Sequence, residues 1–487
     1  MNQNETKFAS PNPYPNHFAL ASLARHLGLP GREMIFPDIH RRLLNTKWST
    51  AQMVQDKKRL RLTQIFAVVG IHLLGNQVQA QDHWSGFQNG GRLIVPSLPE
   101  SWDAQGGNVA WKISVEGYGQ STPVVFGDQV FLTSTSGPNK ENYHVAAYAL
   151  TDGTKRWQKD FKNPSPEESN SYVSRAAPSP TVDAQGLVVS FEGGIVAALS
   201  LDGKLQWEKN LVELYGPIKA RHGLAASLEH DLSNVFIWVE REQDPYVLAL
   251  SKSSGELVWK SPGVGATSWS SPRLFMVAGK PQLLCSSSGK IAGYDAASGN
   301  RLWEFNDLAN NTTCTPIPVS EGKFLIGASD GRGEQSAGKT AASNGLIEVI
   351  PIGEGKFAVD YLWRAEKATC SFGSPIVAAD KVWIVNRTGV LYQLELATGK
   401  QLSAERVSAG SVWATPLATS SKLYLFGQKG TTSIVDLASA KELSSCSIWE
   451  ESASGPPAAM GGSVLYAAVS AGNTLLIRRG DTLFAIR

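Results

Sequence analysis

The stretch Gly289-Lys-Ile-Ala-Gly-Tyr-Asp-Ala-Ala-Ser-Gly-Asn-Arg-Leu-Trp303 decides the fold. It reads as a short strand, Ile291 to Tyr294, a turn centred on Ser298-Gly299, and a second strand ending at Trp303. A unit of this size cannot bury an aromatic face alone, so it requires neighbours of its own kind. The chain supplies them in Tyr148 to Trp157, Ala198 to Trp207 and Ala249 to Trp259. In each copy Trp follows the turn glycine (Gly153, Gly203, Gly255, Gly299) by four residues. The copies recur at roughly 40–60 residues, the period of a propeller blade.

Glycine admits the left-handed turn between paired strands, and the indole can pack against the adjacent blade. These residues are therefore read as structural, together with Trp111, Trp363 and Gly399. A second marker counts the units. Ser/Thr-Pro precedes an apolar run at Thr122, Ser179, Ser271, Thr315, Ser374 and Thr415, where proline at a strand start loses little by lacking a donor. Ala225-Ala-Ser227 and Gly455-Pro-Pro457 keep the spacing, which gives eight starts. Later units are degraded: Ser403 stands in the Trp position, and Ser433 to Leu443 has lost both Gly and Trp. The fifth carries a polar insertion, Ser329 to Asn344, read as an exposed loop. Asn108 to Ile113 is a lone final strand with Trp111, whereas Thr474 to Ile486 is a unit that stops short, so the first strand is expected to complete the last blade. The expectation is an all-β, eight-bladed β-propeller of four-stranded antiparallel blades over residues 108–487, with seven blades as the alternative.

Residues 1–80 read as an N-terminal extension plus signal peptide. Lys57-Lys-Arg-Leu-Arg61 is a basic flank, Leu62 to Leu74 is mostly apolar, and Val78-Gln-Ala80 has small residues at a cleavage position. The expected start is Met53 and the expected cleavage follows Ala80, leaving residues 81–107 as an extended lead-in. Exported, periplasmic or secreted, is the resulting localisation. The formal charge of +2 is uneven: residues 1–80 hold about ten basic and four acidic groups, leaving about 35 against 39 beyond them. No basic stripe with interleaved aromatics speaks for nucleic acid, and nothing after residue 80 reads as a transmembrane segment. Cys285, Cys314, Cys370 and Cys446 occur singly. Buried thiols are expected, with Cys314 and Cys370, at similar points in successive repeats, the one pair placed for a bridge.

The strand, Asp-x-x-(Ser/Thr)-Gly-Lys turn and Leu-x-Trp pattern resembles the PQQ-type propeller repeat of quinoprotein alcohol dehydrogenases and of BamB, the lipoprotein of the bacterial barrel-assembly machinery. Asn108-Val-Ala-Trp followed by Gly119-Gln-Ser-Thr-Pro-Val-Val also resembles exported PQQ-like propellers of planctomycetes. For the enzymatic branch the resemblance implies PQQ held by an adjacent Cys-Cys disulfide with calcium. This chain has no Cys-Cys dipeptide and no haem-attachment motif, so no cofactor is expected. For the BamB branch it implies a non-catalytic scaffold in outer membrane assembly that engages a protein or extended peptide. Gln81 stands where the lipidated cysteine would be, so the chain does not read as a lipoprotein.

Ligand contacts are sought in the unlike residues just before each inner strand, which open on the channel mouth. Arg175, Arg221, His222, Trp269, Phe372 and Trp413 are the candidates, with Cys314 and Cys370 at the same level. Aromatic rings with cations suit a peptide strand, a glycan or an aromatic ligand. The competing reading is that the rings plug the channel and the arginines bond local carbonyls.

Overall fold

The strands fall into eight four-stranded antiparallel sheets set as a ring, a β-propeller, in the computed structural model, which describes residues 83–170, 173–266, 268–329, 337–450 and 463–487. The leader, the start at Met53, the cleavage after Ala80 and the Gly455-Pro-Pro457 marker lie outside these residues. Blade 1 takes residues 124–162, blade 2 181–210, blade 3 229–262, blade 4 273–305, blade 5 317–364, blade 6 376–406 and blade 7 417–447. Blade 8 combines residues 465–486 with Val109–Ser114 as its outermost strand, in a register running from Val109 opposite Ile486 to Ser114 opposite Thr482.

Burial follows from position in the stack. Gly186–Ser190 and Ile195–Leu199 are buried throughout, because the middle strands of a blade have neighbours on both faces. The outer strand Leu257–Pro262 buries only Trp259 fully. That indole is the interblade fastener. Its Nε1 donates to the Ala296 carbonyl of the next blade at 3.0 Å, as Trp111 does to Leu150, Trp157 to Leu201, Trp207 to Lys252 and Trp363 to Leu396. The ring lies on the next blade's turn glycine: a Cβ on Gly299 would stand 2.4 Å from Trp259, and one on Gly203 2.6 Å from Trp157. Positive φ (74° at Gly299, 86° at Gly203) makes glycine doubly required there. Trp303 is the exception. Blade 5 turns through Gly353-Glu-Gly355 instead, so Trp303 swings over Gly293 of its own blade and donates to Gln282 Oε1 at 2.7 Å.

The Ser/Thr of the strand-start marker has its own task. The Thr122 N–H donates to the Ser179 hydroxyl, Ser179 to Ser227, Ser227 to Ser271, Ser271 to Thr315 and Thr315 to Ser374, each at 2.9–3.0 Å. Five hydroxyls thus tie six successive blades around the axis. Between blades 6 and 7 the tie passes through Gln88, whose Nε2 reaches both Ser374 and Thr415 at 2.9 Å. Gln88 belongs to the lead-in, where Phe87–Gly91 coils with Gln88, Asn89 and Gly90 all at positive φ. Residues 84–95 cross the axis, pairing Trp84 with Val125, Ser85 with Val182, and Leu93 and Val95 with Ala418. Arg273, fully buried, holds the crossing segment through Phe87 O and Gln88 Oε1 and is neutralised by Glu229 at 2.9 Å.

The insertion of blade 5 differs from expectation. Ala337–Ala342 is helical, and Thr340, Ser343 and Asn344 are buried rather than looped into solvent. The cause is Asn344, whose side chain accepts from the Ala328 N–H and donates to the Ala328 carbonyl, completing a strand-like pair. All four cysteines are buried and outside any disulfide, with the Cys314 and Cys370 sulfurs facing one point above Gly327.

Candidate functional site

Loops leading into the inner strands gather at one end of the ring and are knitted by main-chain bonds between neighbours. Gln120 and Ser121 donate to Arg175 and Ala176, Ser174 to His222, Trp269 to Thr312, Cys370 to Ala328, and Phe372 and Gly373 to Val412. This fixed annulus presents the candidates, and it sorts them into two groups. Phe372 and Trp413 lie at 4.9 Å between centroids, Trp413 and Tyr466 at 6.1 Å, and Tyr466 and Tyr118 at 6.0 Å. Arg175 caps this belt 3.6 Å above the Tyr118 ring, and Arg387 caps the other end 5.5 Å from Phe372. The belt is half-buried along its length, with the Tyr118 ring packed on Gly480 beneath Arg175. Arg175 also receives a main-chain tie, its N–H donating to Gln120 Oε1 at 2.9 Å. Its guanidinium is aimed at the Tyr118 ring rather than at a carbonyl. The lead-in, for its part, bonds to the inner strands of blades 1, 2 and 7.

His222 and Trp269 form the second group, 5.8 Å apart, with Trp269 Nε1 donating to the Arg221 carbonyl at 3.3 Å. His222 and Arg221 are exposed, and His222 sits at φ 67°, so this corner is a projecting turn beside the belt. Cys314 and Cys370, by contrast, are sealed beneath the surface and line no accessible part of the mouth.

Sequence reasoning missed Tyr118, Tyr466, Arg387 and two acids. Tyr118 stood four residues before Thr122-Pro123, the place from which the other candidates were drawn. Glu192 and Glu240 cap the ends of the apolar second strands of blades 2 and 3, and a charge at the end of a wholly buried strand was the available signal. Burial pushes the Glu192 carboxyl up to about 7 against the pull of Lys140 at 3.8 Å, and it accepts the Ala176 N–H. Glu240 is raised well above the usual carboxylate range by desolvation, without a charged partner. The tyrosine hydroxyls of the belt bond each other at 2.9 Å, and burial raises Tyr118 beyond the ordinary phenol range.

A quinone–calcium pair needs several oxygen ligands converging on one cation. Among the described residues no three His, Cys, Asp or Glu side chains gather, Glu192 is engaged by Lys140, and the mouth offers arginines and rings. These residues do not fit that cofactor. No helix among the described residues is long and apolar enough to cross a membrane.

Three comparisons bear on kinship. Outer membrane protein assembly factor BamB of Yersinia pestis is 23% identical over 291 residues, covering 60% of this chain. The chain spans 65% of that relative's length. The crystal structure of BamB from Moraxella catarrhalis superposes with a TM-score of 0.52 at 15% identity, covering 77% of this chain and 95% of that one. Quinohemoprotein alcohol dehydrogenase from Comamonas testosteroni gives 0.54 at 10% identity, covering 85% and 82%. Such identities show the shared propeller alone. The family described as outer membrane protein assembly factor BamB matches residues 75–214 and 243–482, most of the sequence, and the chain belongs to it.

Proposed function

We propose that this chain is an exported binding propeller, a scaffold of outer membrane protein assembly, that engages an extended segment of a protein partner at its mouth. The observation that carries the reading is the continuous belt from Arg175 through Tyr118, Tyr466, Trp413 and Phe372 to Arg387. Rigid aromatic faces provide contact area at little entropic cost, and an arginine at each end of the row suits acidic or carboxylate groups on a strand laid across it. The BamB relatives carry outer membrane protein assembly in their name, and strands are what such substrates contain. The fixed annulus beneath means that binding requires no ordering of the site.

The test is fluorescence anisotropy with labelled peptides copied from outer membrane protein strands. Arg175→Ala with Trp413→Ala should weaken binding about 10- to 100-fold, as anchor residues do, while the melting temperature stays close to the parent's. Binding unchanged in that double variant, or capture of polysaccharides alone on a glycan array, would overturn the proposal. Arg221→Ala with Trp269→Ala reports on the neighbouring corner and should cost less.

A further inference from the structure

Cys314 and Cys370 stand at the two necks of blade 5, one just before its first strand and the other between its last strand and blade 6. Hydrogen bonds fix both necks. The Thr315 N–H donates to the Ser374 hydroxyl at 3.0 Å, and the Cys370 N–H donates to the Ala328 carbonyl at 2.9 Å. The two sulfurs meet over Gly327. A Cβ there would stand 2.9 Å from each sulfur and 2.7 Å from Cys314 Cβ. Their separation therefore cannot exceed twice the first distance. The backbone at Gly327 is not left-handed, so it is the sulfurs that demand a glycine. Each thiol is also oriented. Cys370 Sγ donates to Asn344 Oδ1 at 3.3 Å, and Cys314 Sγ donates to the Gly373 carbonyl at 3.6 Å. A thiol is a weak donor, so little is lost when its hydrogen leaves.

Blade 5 is the unit that gains most from a tie at this place. Its seam with blade 4 lacks the usual fastener, because Trp303 has no glycine to cover and bonds Gln282 of its own blade. It also carries the helical insertion and a hairpin of two nine-residue strands, on which Ile350 and Ile352 are exposed. A covalent link between the necks would enclose all of this, and the restraint on the unfolded chain grows with the length enclosed.

We propose that Cys314 and Cys370 are an oxidation site, forming an intrachain disulfide that staples blade 5 when a disulfide oxidant such as oxidised glutathione is present. One cysteine, as thiolate, attacks a sulfur of the oxidant. The glutathione S–S bond breaks, a mixed disulfide forms, and one glutathione thiolate leaves and takes up a proton. The second cysteine gives its proton to solvent and displaces the other glutathione, which is protonated in turn. Two cysteine thiols are thereby oxidised and one glutathione disulfide is reduced to two thiols. Burial of both side chains confines the reaction to the folding chain or to a blade 5 that has opened locally. The export proposed above would supply such an oxidant, but the chemistry is tested without it.

The experiment refolds the full chain from urea with oxidised glutathione or with dithiothreitol, then alkylates and digests it without reduction. With glutathione, mass mapping should find the Cys314 and Cys370 peptides joined and lighter by two hydrogens, with Cys285 and Cys446 alkylated. The bridged chain should melt a few degrees above the reduced one, and dithiothreitol should reverse the shift. Cys314→Ser should lose both the joined peptide and the shift. No joined peptide, a joined peptide that uses Cys285 or Cys446, or a bridged chain that melts no higher than the reduced one would overturn the proposal. Should Cys314→Ser fail to fold, the mapping and melting of the parent chain decide alone. Peptide binding at the belt can be measured on the reduced chain, so failure of one reading leaves the other standing.

Discussion

Blades 1 to 4 and blades 6 to 8 solve the same packing problem differently. In the first arc the turn glycine of every blade is covered by the outer Trp of the preceding blade, Gly153 by Trp111, Gly203 by Trp157, Gly255 by Trp207 and Gly299 by Trp259. In the second arc the losses are paired. Ser403 replaces Trp in blade 6, and Ala440, at φ 59°, replaces the glycine that this Trp would have covered in blade 7. The motif is therefore a contract between neighbours rather than a property of one repeat: at the seam of blades 6 and 7 both sides have lapsed, and at the seam of blades 4 and 5 Trp303, left without its glycine, turns to its own blade. Other groups fill the gap. Glu442 accepts from Ser408 and Ser433, and the lead-in returns across blades 7 and 8, burying Leu98 and Trp102 and meeting Tyr424 and Cys446 through main-chain carbonyls. The arcs differ near the mouth as well, with buried Glu192 and Glu240 on blades 2 and 3 and the row of rings on the loops and strands of blades 6 to 8.

The contrast can be broken most severely by Trp207→Ala. Losing a buried indole and its bond to Lys252 should cost about 3–5 kcal/mol in urea unfolding, whereas Ser403→Ala should be near neutral. Equal effects would mean that the fasteners do not carry the first arc. Next comes pH. Glu192 binds its proton more tightly folded than unfolded, so its contribution is fully present below the ordinary carboxyl value of 4.5 and is lost as pH rises towards about 7. Glu192→Gln should remove that decline, on the order of a few kcal/mol, from the dependence of the melting temperature on pH. The smallest effects carry opposite signs. Gly255→Ala adds a Cβ 2.6 Å from Trp207 at φ 68° and should destabilise by about 2 kcal/mol. Ala440→Gly relieves a left-handed alanine and should stabilise by about 1 kcal/mol. A destabilised Ala440→Gly protein would show that blade 7 has found a use for the methyl group.

Much of the architecture is legible because two local patterns, Gly-x-x-x-Trp and Ser/Thr-Pro, report interblade contacts that every blade must repeat. The same repetition explains why the hydroxyl of Ser227 could be placed without its proline. Roles that arise once in the ring leave no such trace. Gln88 closes the gap between Ser374 and Thr415 from a segment with no repeat to compare it with. Asn344 looked like part of a polar loop because its single function, mimicking a strand beside Ala328, has no sequence period. Of the mouth, Phe372, Trp413 and Arg175 were legible from their position before an inner strand. Tyr466 and Arg387 reach the belt from other segments, and only the closed ring brings them there.

Closure of that ring also sets an order of events. Val109–Ser114 stays without its sheet until Thr482–Ile486 arrives, so nearly the whole propeller must assemble before its first strand finds a partner. Loop closure of that length is slow and entropically costly. Arg478 makes the step all-or-none: fully buried, it spends its donors on the Ser121 carbonyl and hydroxyl and on the Thr133 carbonyl, across the seam between the last blade and the first. With the seam open, that guanidinium keeps its water. With the seam shut, it has traded water for three protein acceptors, and a half-closed ring would offer it neither. The joint between the ends of the chain thus works as a latch, and opening it is the expected first step of unfolding.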